Sequence, residues 1–407
     1  MSLAAAVAIP VLLLAPPARA DGEEPVSLPP LRLRTADGDP CATASPKTAT
    51  MSPWTHRALQ LSRSWQLTRG AGVTVAVVDT GVGADGGRVP ALAGRVTAVG
   101  GAGEDCVGHG SFAAGLIAAA PTGKGTVTGV APAARILAVR GTDDRGVPDG
   151  ELIADGIRTA VDKGAKVVYV GQVLGSGSPG LTEAVSYAAG RDALVVAPAA
   201  PDVAPKGADG RPDTRARAYW PARLPGVLSV VDHGPDGGRP KDAPGALAAD
   251  LSAPGGAVVG IGARGPGHFI GSGSSLAAAH VAGAAALLRS YHPRLGAAAT
   301  ARRLTEAAYP DHTPRLDVYA ALTSLLSGQR APAEPAPEPA AVPPSAAEGP
   351  KNRALFIGGG ALFLVLLVGA AMVIVPRGKA RGWRPAGQGL SGKSRPARDA
   401  RHAHFPP

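Results

Sequence analysis

The chain of 407 residues contains a single asparagine, Asn352, so no asparagine amide is available for chemistry anywhere in residues 1–351. Sulfur is almost as scarce, with two cysteines, Cys41 and Cys106, and three methionines. No spacing of cysteine and histidine suits a structural or catalytic metal, so neither metal nor cofactor is expected. Net positive charge is missing from most of the chain despite an overall charge of +10. Eight Lys and Arg stand against Asp399 alone in residues 376–407, and with Lys351 and Arg353 they account for nine of the ten charges. A domain this close to neutral presents no basic face, which excludes nucleic acid as a partner.

What is present is hydrophobic residues, 45% of the chain, enough for a large buried core. Two apolar runs set the expected compartment. Residues 3–15, LAAAVAIPVLLLA, lead into Pro-Pro-Ala-Arg-Ala. This predicts a signal peptide cut after Ala20; the missing basic n-region leaves an uncleaved anchor as the alternative. Residues 354–375, ALFIGGGALFLVLLVGAAMVIV, are uncharged over the length needed to cross a bilayer. The basic tail behind them marks the cytoplasmic side, so residues 21–350 are expected outside the cytoplasm. The proline-rich segment 327–353 reads as a semi-rigid stalk. Export favours pairing of Cys41 with Cys106, the alternatives being two free thiols or a reactive Cys106.

Between these segments the pattern alternates. GVTVAVV at 72–78, GAKVVYV at 164–170 and DALVVA at 192–197 read as buried strands. Residues 111–120, 151–164, 181–190 and 275–293 read as helices. Alternating strands and helices predict an α/β fold around a mostly parallel sheet, with reactive groups at the carboxyl ends of strands. Three residues stand at such places. Asp79 ends the first strand, His109 opens a helix after a glycine, and Ser275 lies at the start of a long helix. A serine hydroxyl needs a histidine to take its proton and a carboxylate to orient that histidine, and a helix start offers N–H groups to a developing oxyanion. Singly, these residues would read as a turn cap, a loop histidine and a helix cap.

The motifs around them resemble those of subtilisin-like serine proteases. Asp79-Thr80-Gly81 is similar to the family's D-T-G, His109 to Gly115 to its H-G-T-H-V-A-G, and Gly273 to Gly283 to its G-T-S-M-A-A-P-H-V-A-G. The likeness spans about residues 55–325. More narrowly the chain resembles the mycosins, membrane-anchored subtilases of actinobacterial type VII secretion systems. Asp105-Cys106, an N-terminal extension with Cys41, Trp65-Gln66-Leu67-Thr68, the stalk and the single C-terminal span carry that likeness. The resemblance implies a subtilisin-like three-layer fold, with a peptidase domain over 52–326, an N-terminal extension over 21–51, a transmembrane helix at 354–375 and a cytoplasmic tail at 376–407. It implies that Asp79, His109 and Ser275 form the catalytic triad, with Ser274 the rival serine and His280 structural. Protein or peptide substrates, the membrane and type VII secretion components are the partners implied.

The departures are as informative. Subtilases donate an asparagine amide to the oxyanion from the end of a strand reading like V-V-A-A-A-G-N. Here Leu194 to Pro201 reads LVVAPAAP, with proline in that place. Loss of this donor lowers turnover on the order of 100- to 1,000-fold, a magnitude taken from subtilisin itself. Asp202, next in sequence, donates only if protonated, and ionised it would repel the oxyanion. The strand after Lys166, VVYVGQVLGSGSPG, departs from the family's N-M-S-L-G-G; Gln172 within it, the only nearby amide side chain, reads as a surface residue, with an oxyanion role the alternative. Ser111, Phe112 and Ala279 depart from the motifs in ways expected to alter packing more than chemistry. Two functions of different class follow: an exported, membrane-tethered endopeptidase attenuated by the missing asparagine, or a degenerate subtilase domain serving the secretion machinery as a structural or binding component.

Overall fold

The computed structural model describes residues 26–83, 89–122, 127–324, 348–380 and 382. The signal peptide expected at 1–20, most of the stalk and most of the basic tail lie outside them.

Residues 26–324 are built on a seven-stranded parallel sheet. Its strands are β1 (Thr74–Asp79), β2 (Val96–Ala98), β3 (Arg135–Arg140), β4 (Val167–Val170), β5 (Leu194–Pro198), β6 (Val227–His233) and β7 (Leu251–Pro254). They lie in the order β2-β3-β1-β4-β5-β6-β7. β8 (Val258–Ile261) and β9 (His268–Gly271) form a separate antiparallel hairpin. The helices in the same unit are α1 (Trp54–Ala58), α2 (Leu61–Ser64), α3 (His109–Ala118), α4 (Gly150–Asp162), α5 (Pro179–Gly190), α6 (Ser274–Tyr291), α7 (Ala297–Glu306) and α8 (Val318–Thr323).

Strand alternation sorts the side chains into two layers. Val75 and Val77 of β1 join the core under α3 and α6, whereas Ala76 and Val78 join the core under α4 and α5. Strands covered on both faces read as continuous apolar runs, which is why β1, β4 and β5 are legible in the sequence. The helix ends are equally explicable. Asp149 caps α4 by accepting from the N–H groups of Glu151 and Leu152. Ser178 caps α5 ahead of Pro179. Helix α6 is buried from Ser274 to Arg289, and its Leu276, Val281, Leu287 and Leu288 are fully enclosed. Each such side chain contributes roughly 1.5–3 kcal/mol relative to exposure, so this helix, apolar on every face, is the spine of the domain.

The chain leaves β1 for β2 and β3 on one side, then crosses back to β4 on the other. Such a reversal opens a crevice at the carboxyl ends of the strands that flank it. Asp79 is the last residue of β1, and Gly171 and Gln172 follow β4 directly.

Residues 26–49 carry no helix and follow the surface in extended form. Leu31 and Ile270 are tied through Leu31 N–H to Ile270 O and Ile270 N–H to Pro29 O, at 2.8 and 3.0 Å. Thr35 N–H donates to Arg145 O at 3.0 Å, and His268 N–H to Lys47 O at 2.8 Å. Cys41 and Cys106 form a disulfide, closing a loop of 65 residues, and Ala42 N–H donates to Cys106 O at 2.7 Å beside it.

In the second unit, α9 runs from Glu348 to Ala380, longer at both ends than the apolar run 354–375. From Arg353 to Ala380 it is long and apolar enough to cross a membrane.

Candidate active site

Asp79, His109 and Ser275, separated by up to 196 positions in the chain, meet at the crevice beside β1 and β4. The Asp79 carboxylate is fully buried and steadied by its neighbour, Thr80 N–H donating to Oδ1 at 2.7 Å. His109 opens α3, and Asp105 fixes where that helix begins. The Asp105 carboxylate accepts from Gly108 N–H (2.7 Å), Ser111 N–H (2.8 Å), Ser111 Oγ (2.7 Å) and Thr80 Oγ1 (2.9 Å). Burial pushes the Asp105 carboxyl up despite those four donors. Ser111, which departs from the motif, thus serves the site's scaffold, and Phe112 is fully buried in the core.

His109 Nδ1 lies 2.9 and 2.8 Å from the two oxygens of Asp79, and Nε2 lies 3.0 Å from Ser275 Oγ. Side-chain exposure is 0% for Asp79 and 1% for His109. Burial opposes a charged imidazolium here. The adjacent charge of Asp79, the hydrogen bond to Asp202 and that to Asp79 outweigh it and hold His109 well above the ordinary histidine value. Once neutral, the imidazole is placed to take the Oγ proton while Asp79 holds its tautomer and orientation. The rival serine is otherwise engaged, since Ser274 Oγ donates to Asp232 Oδ1 at 2.8 Å, and Asp232 is paired with Arg239. His280 is buried, its Nδ1–H donating to Leu276 O at 3.0 Å, with its pKa lowered to about 4 by burial. It has no contact with this site.

The oxyanion side is where the structure adds most. Gly273 precedes α6 at φ +152°, and no side chain caps the helix, so the first N–H groups face the crevice. There Asp202 takes that of Ser275. Ser275 N–H donates to Asp202 Oδ1 at 2.8 Å, Ser275 Oγ to Oδ2 at 2.5 Å, and His109 Nε2 lies 3.3 Å from the same Oδ2. A Cβ on Gly273 would stand 2.1 Å from the Asp202 carboxyl carbon, so only glycine leaves room for this carboxyl.

Two further side chains belong to the site without any sequence signal that marks them. Tyr169 reads as an ordinary aromatic of a buried strand, yet its hydroxyl is buried beside Asp79, Asp202 and Ser275, close enough to Ser275 and Asp79 to interact with both though not in good hydrogen-bond geometry with either. Burial, then the charges of Asp79 and Asp202, push this phenol well above its usual range, so it stays neutral. Gln172, expected at the surface, is instead half-buried, its Nε2 3.5 Å from Asp79 Oδ1 and from His109 Nδ1. The turn after β4 carries it inward, beside the Asp79–His109 pair.

A cleft of about 490 Å³ opens over His109 and Asp202, floored by Gly171, Gln172 and Val173 and walled by Ala200 to Pro205. Leu33 and Arg34 of the N-terminal segment line its other side. Among the described residues no cluster of His, Cys, Asp and Glu is arranged to hold a metal ion.

The family comparison agrees with this geometry. The profile of the subtilase family matches residues 70–331. Mycosin-3 of Mycobacterium tuberculosis H37Rv is 32% identical over 390 residues, covering 78% of this chain and 82% of the relative. Thermitase of Thermoactinomyces vulgaris is 32% identical over 242 residues, covering 57% of this chain and 80% of thermitase. Among solved structures, the MycP3 protease from the type VII (ESX-3) secretion system superposes with a TM-score of 0.59 at 30% identity, covering 73% of this chain and 94% of that one. A chain of the periplasmic assembly from the ESX-5 inner membrane complex does so with a TM-score of 0.60 at 27% identity, covering 78% and 94%. With its parallel sheet, the Asp, His, Ser order and these relatives, the chain belongs to the subtilase family of serine peptidases, with the mycosins among its kin.

Proposed function

We propose that this chain is a membrane-tethered endopeptidase in which Asp79, His109 and Ser275 act as the catalytic triad on proteins handled by a type VII secretion system. The observation that carries the reading is the unbroken hydrogen-bonded line from Asp79 through His109 to Ser275, enclosed at the start of α6. Ser275 Oγ attacks the scissile carbonyl carbon as its proton passes to His109 Nε2. That proton then goes to the departing amine, and water hydrolyses the acyl-enzyme by the same route. The link to secretion rests on the mycosin relatives and on the likeness to solved structures from type VII secretion systems. Tethering rests on α9, with the peptidase domain outside and the basic tail inside by the charge asymmetry around the span.

One observation favours a second reading. Asp202 sits on the Ser275 N–H, and residues 1–351 hold no asparagine to donate to an oxyanion, as in a peptidase fold kept for structure or binding. Labelling of the full-length protein in detergent with a fluorophosphonate probe decides between them. Labelling retained in Ser274→Ala and lost in Ser275→Ala is the result expected of the peptidase. A folded protein that takes up no label at Ser275 would establish the second reading.

A further inference from the structure

The hydrogen bonds around Ser275 constrain where protons sit. Ser275 has one hydroxyl proton, and its 2.5 Å contact with Asp202 Oδ2 is shorter than its 3.0 Å contact with His109 Nε2. With that proton given to Asp202, and Nδ1–H given to Asp79, the Nε2 of His109 can meet Ser275 Oγ and Asp202 Oδ2 only as a donor. In that arrangement the centre is an imidazolium held between two carboxylates, Asp79 and Asp202. In that state His109 has no lone pair with which to accept a proton, and Asp202 has none to give.

We propose that Asp202 is a fourth catalytic residue, which holds one proton in common with His109 and, as a carboxylic acid, donates to the oxyanion the hydrogen bond that an asparagine amide supplies in other subtilases. This rests on the peptidase reading above. Moving the Nε2 proton across to Asp202 Oδ2 leaves the net charge of the centre unchanged and produces both groups the reaction needs: a neutral imidazole base and a neutral acid. The substrate carbonyl oxygen then displaces Asp202 Oδ1 from the Ser275 N–H. The Oγ–C bond forms, the carbonyl π electrons move to oxygen, and the Oγ proton passes to Nε2. The oxyanion accepts from Ser275 N–H and from the Asp202 O–H, and the Asp202 proton is kept through collapse to the acyl-enzyme. The other route, from neutral His109 beside ionised Asp202, sets an oxyanion against a carboxylate in an enclosed site. Gly273, whose missing side chain makes room for the carboxyl, and the open cleft beside residues 202–205 give Asp202 both its place and space to turn.

The groups facing Asp202 from the elements around it are His109 of α3, Ser275 of α6, Asp79 of β1, the neutral phenol of Tyr169 on β4 and Arg34 across the cleft.

The consequence is an inverted pH profile. An ordinary triad gains activity as its histidine loses a proton, whereas this centre works while the His109–Asp202 pair retains one proton and fails once that proton leaves. The test is the second-order rate of fluorophosphonate labelling of full-length protein in detergent from pH 4 to 10, for wild type, Asp202→Asn, Asp202→Ala and Ser275→Ala. Wild type is expected to label fastest on the acid side and to decline at alkaline pH. Asp202→Asn, nearly isosteric and carrying an amide donor, is expected to rise with pH to a plateau instead. Asp202→Ala is expected to fall on the order of 100-fold or more below Asp202→Asn at that plateau, and below wild type at the wild-type optimum. Asp202→Ala labelling at least as fast as wild type, or a wild-type profile that rises with pH like that of Asp202→Asn, overturns the assignment and leaves the peptidase reading intact. No Ser275-dependent label in wild type or in Asp202→Asn overturns the peptidase reading and this one together.

Discussion

Gly171 sits where the site is tightest, and placing one methyl group there tests whether the Asp79–His109 contact orients the histidine. A Cβ at Gly171 would fall 1.7 Å from Asp79 Oδ2, 2.7 Å from its Cγ and 2.9 Å from the Tyr169 hydroxyl. Side-chain carbons do not approach other atoms within 3.0 Å, so in Gly171→Ala the carboxylate must retreat by roughly 1.3 Å. It cannot retreat toward Tyr169, which already bounds the space. The 2.8 Å bond from His109 Nδ1–H to Asp79 is then lost or badly bent. A misplacement of about 1 Å costs on the order of 100-fold, and loss of the orienting carboxylate about 10⁴-fold, so the labelling rate at Ser275 is expected to fall between those limits. Overpacking of this kind lowers stability by about 1–3 kcal/mol, small enough for the variant to be assayed folded. Gly180→Ala in α5 is the control, because a Cβ there meets nothing within 4 Å and its expected rate is that of wild type. A folded Gly171→Ala that labels at the wild-type rate would refute the orienting role given to Asp79.

Two other perturbations separate the scaffold from the chemistry. Replacing Cys41 and Cys106 by alanine releases a closed loop of 65 residues, for which chain entropy predicts a loss of about 4 kcal/mol in urea unfolding; a loss under about 1 kcal/mol would show that the bridge constrains little. The raised pKa of His109 means that the native state binds its proton more tightly than the unfolded chain. Its contribution to stability is thus fully present below the unfolded value of about 6.5 and is lost as pH rises through the folded value. The stability advantage of wild type over His109→Gln is expected to shrink from pH 6 to pH 10, and a gap that stays constant with pH would contradict the paired imidazolium.

Much of this molecule is legible residue by residue. The apolar, β-branched runs that became β1, β4 and β5 are buried on both faces, and such strands leave an uninterrupted hydrophobic signature. Helix α6 is apolar all round because it is enclosed all round. The other strands are not read from the sequence: β2, β7, β8 and β9 are only three or four residues long, and β3 and β6 carry a charged or polar residue at their ends, so none presents an uninterrupted apolar run like those leading into β1, β4 and β5. Asp79, His109 and Ser275 could be named in advance because each sits at the end of a regular element, where local pattern and reactive chemistry coincide.

The sequence by itself determined the fold class, the order of the three reactive residues, their family and the absence of an asparagine donor, because each of these is written in local spacing or composition. Only the tertiary structure decided what stands in that donor's place. Asp202 lies in an aperiodic turn 73 positions before Ser275 and 93 after His109, and whether its carboxyl points to solvent or onto the serine depends on how the chain leaves β5 and on the room left by Gly273. The same holds for Tyr169, Gln172 and Arg34, whose identities suggest a core ring, a surface amide and a surface charge. Their places in the site follow from the convergence of strand ends and of the N-terminal segment on one crevice, a long-range arrangement that local pattern does not encode.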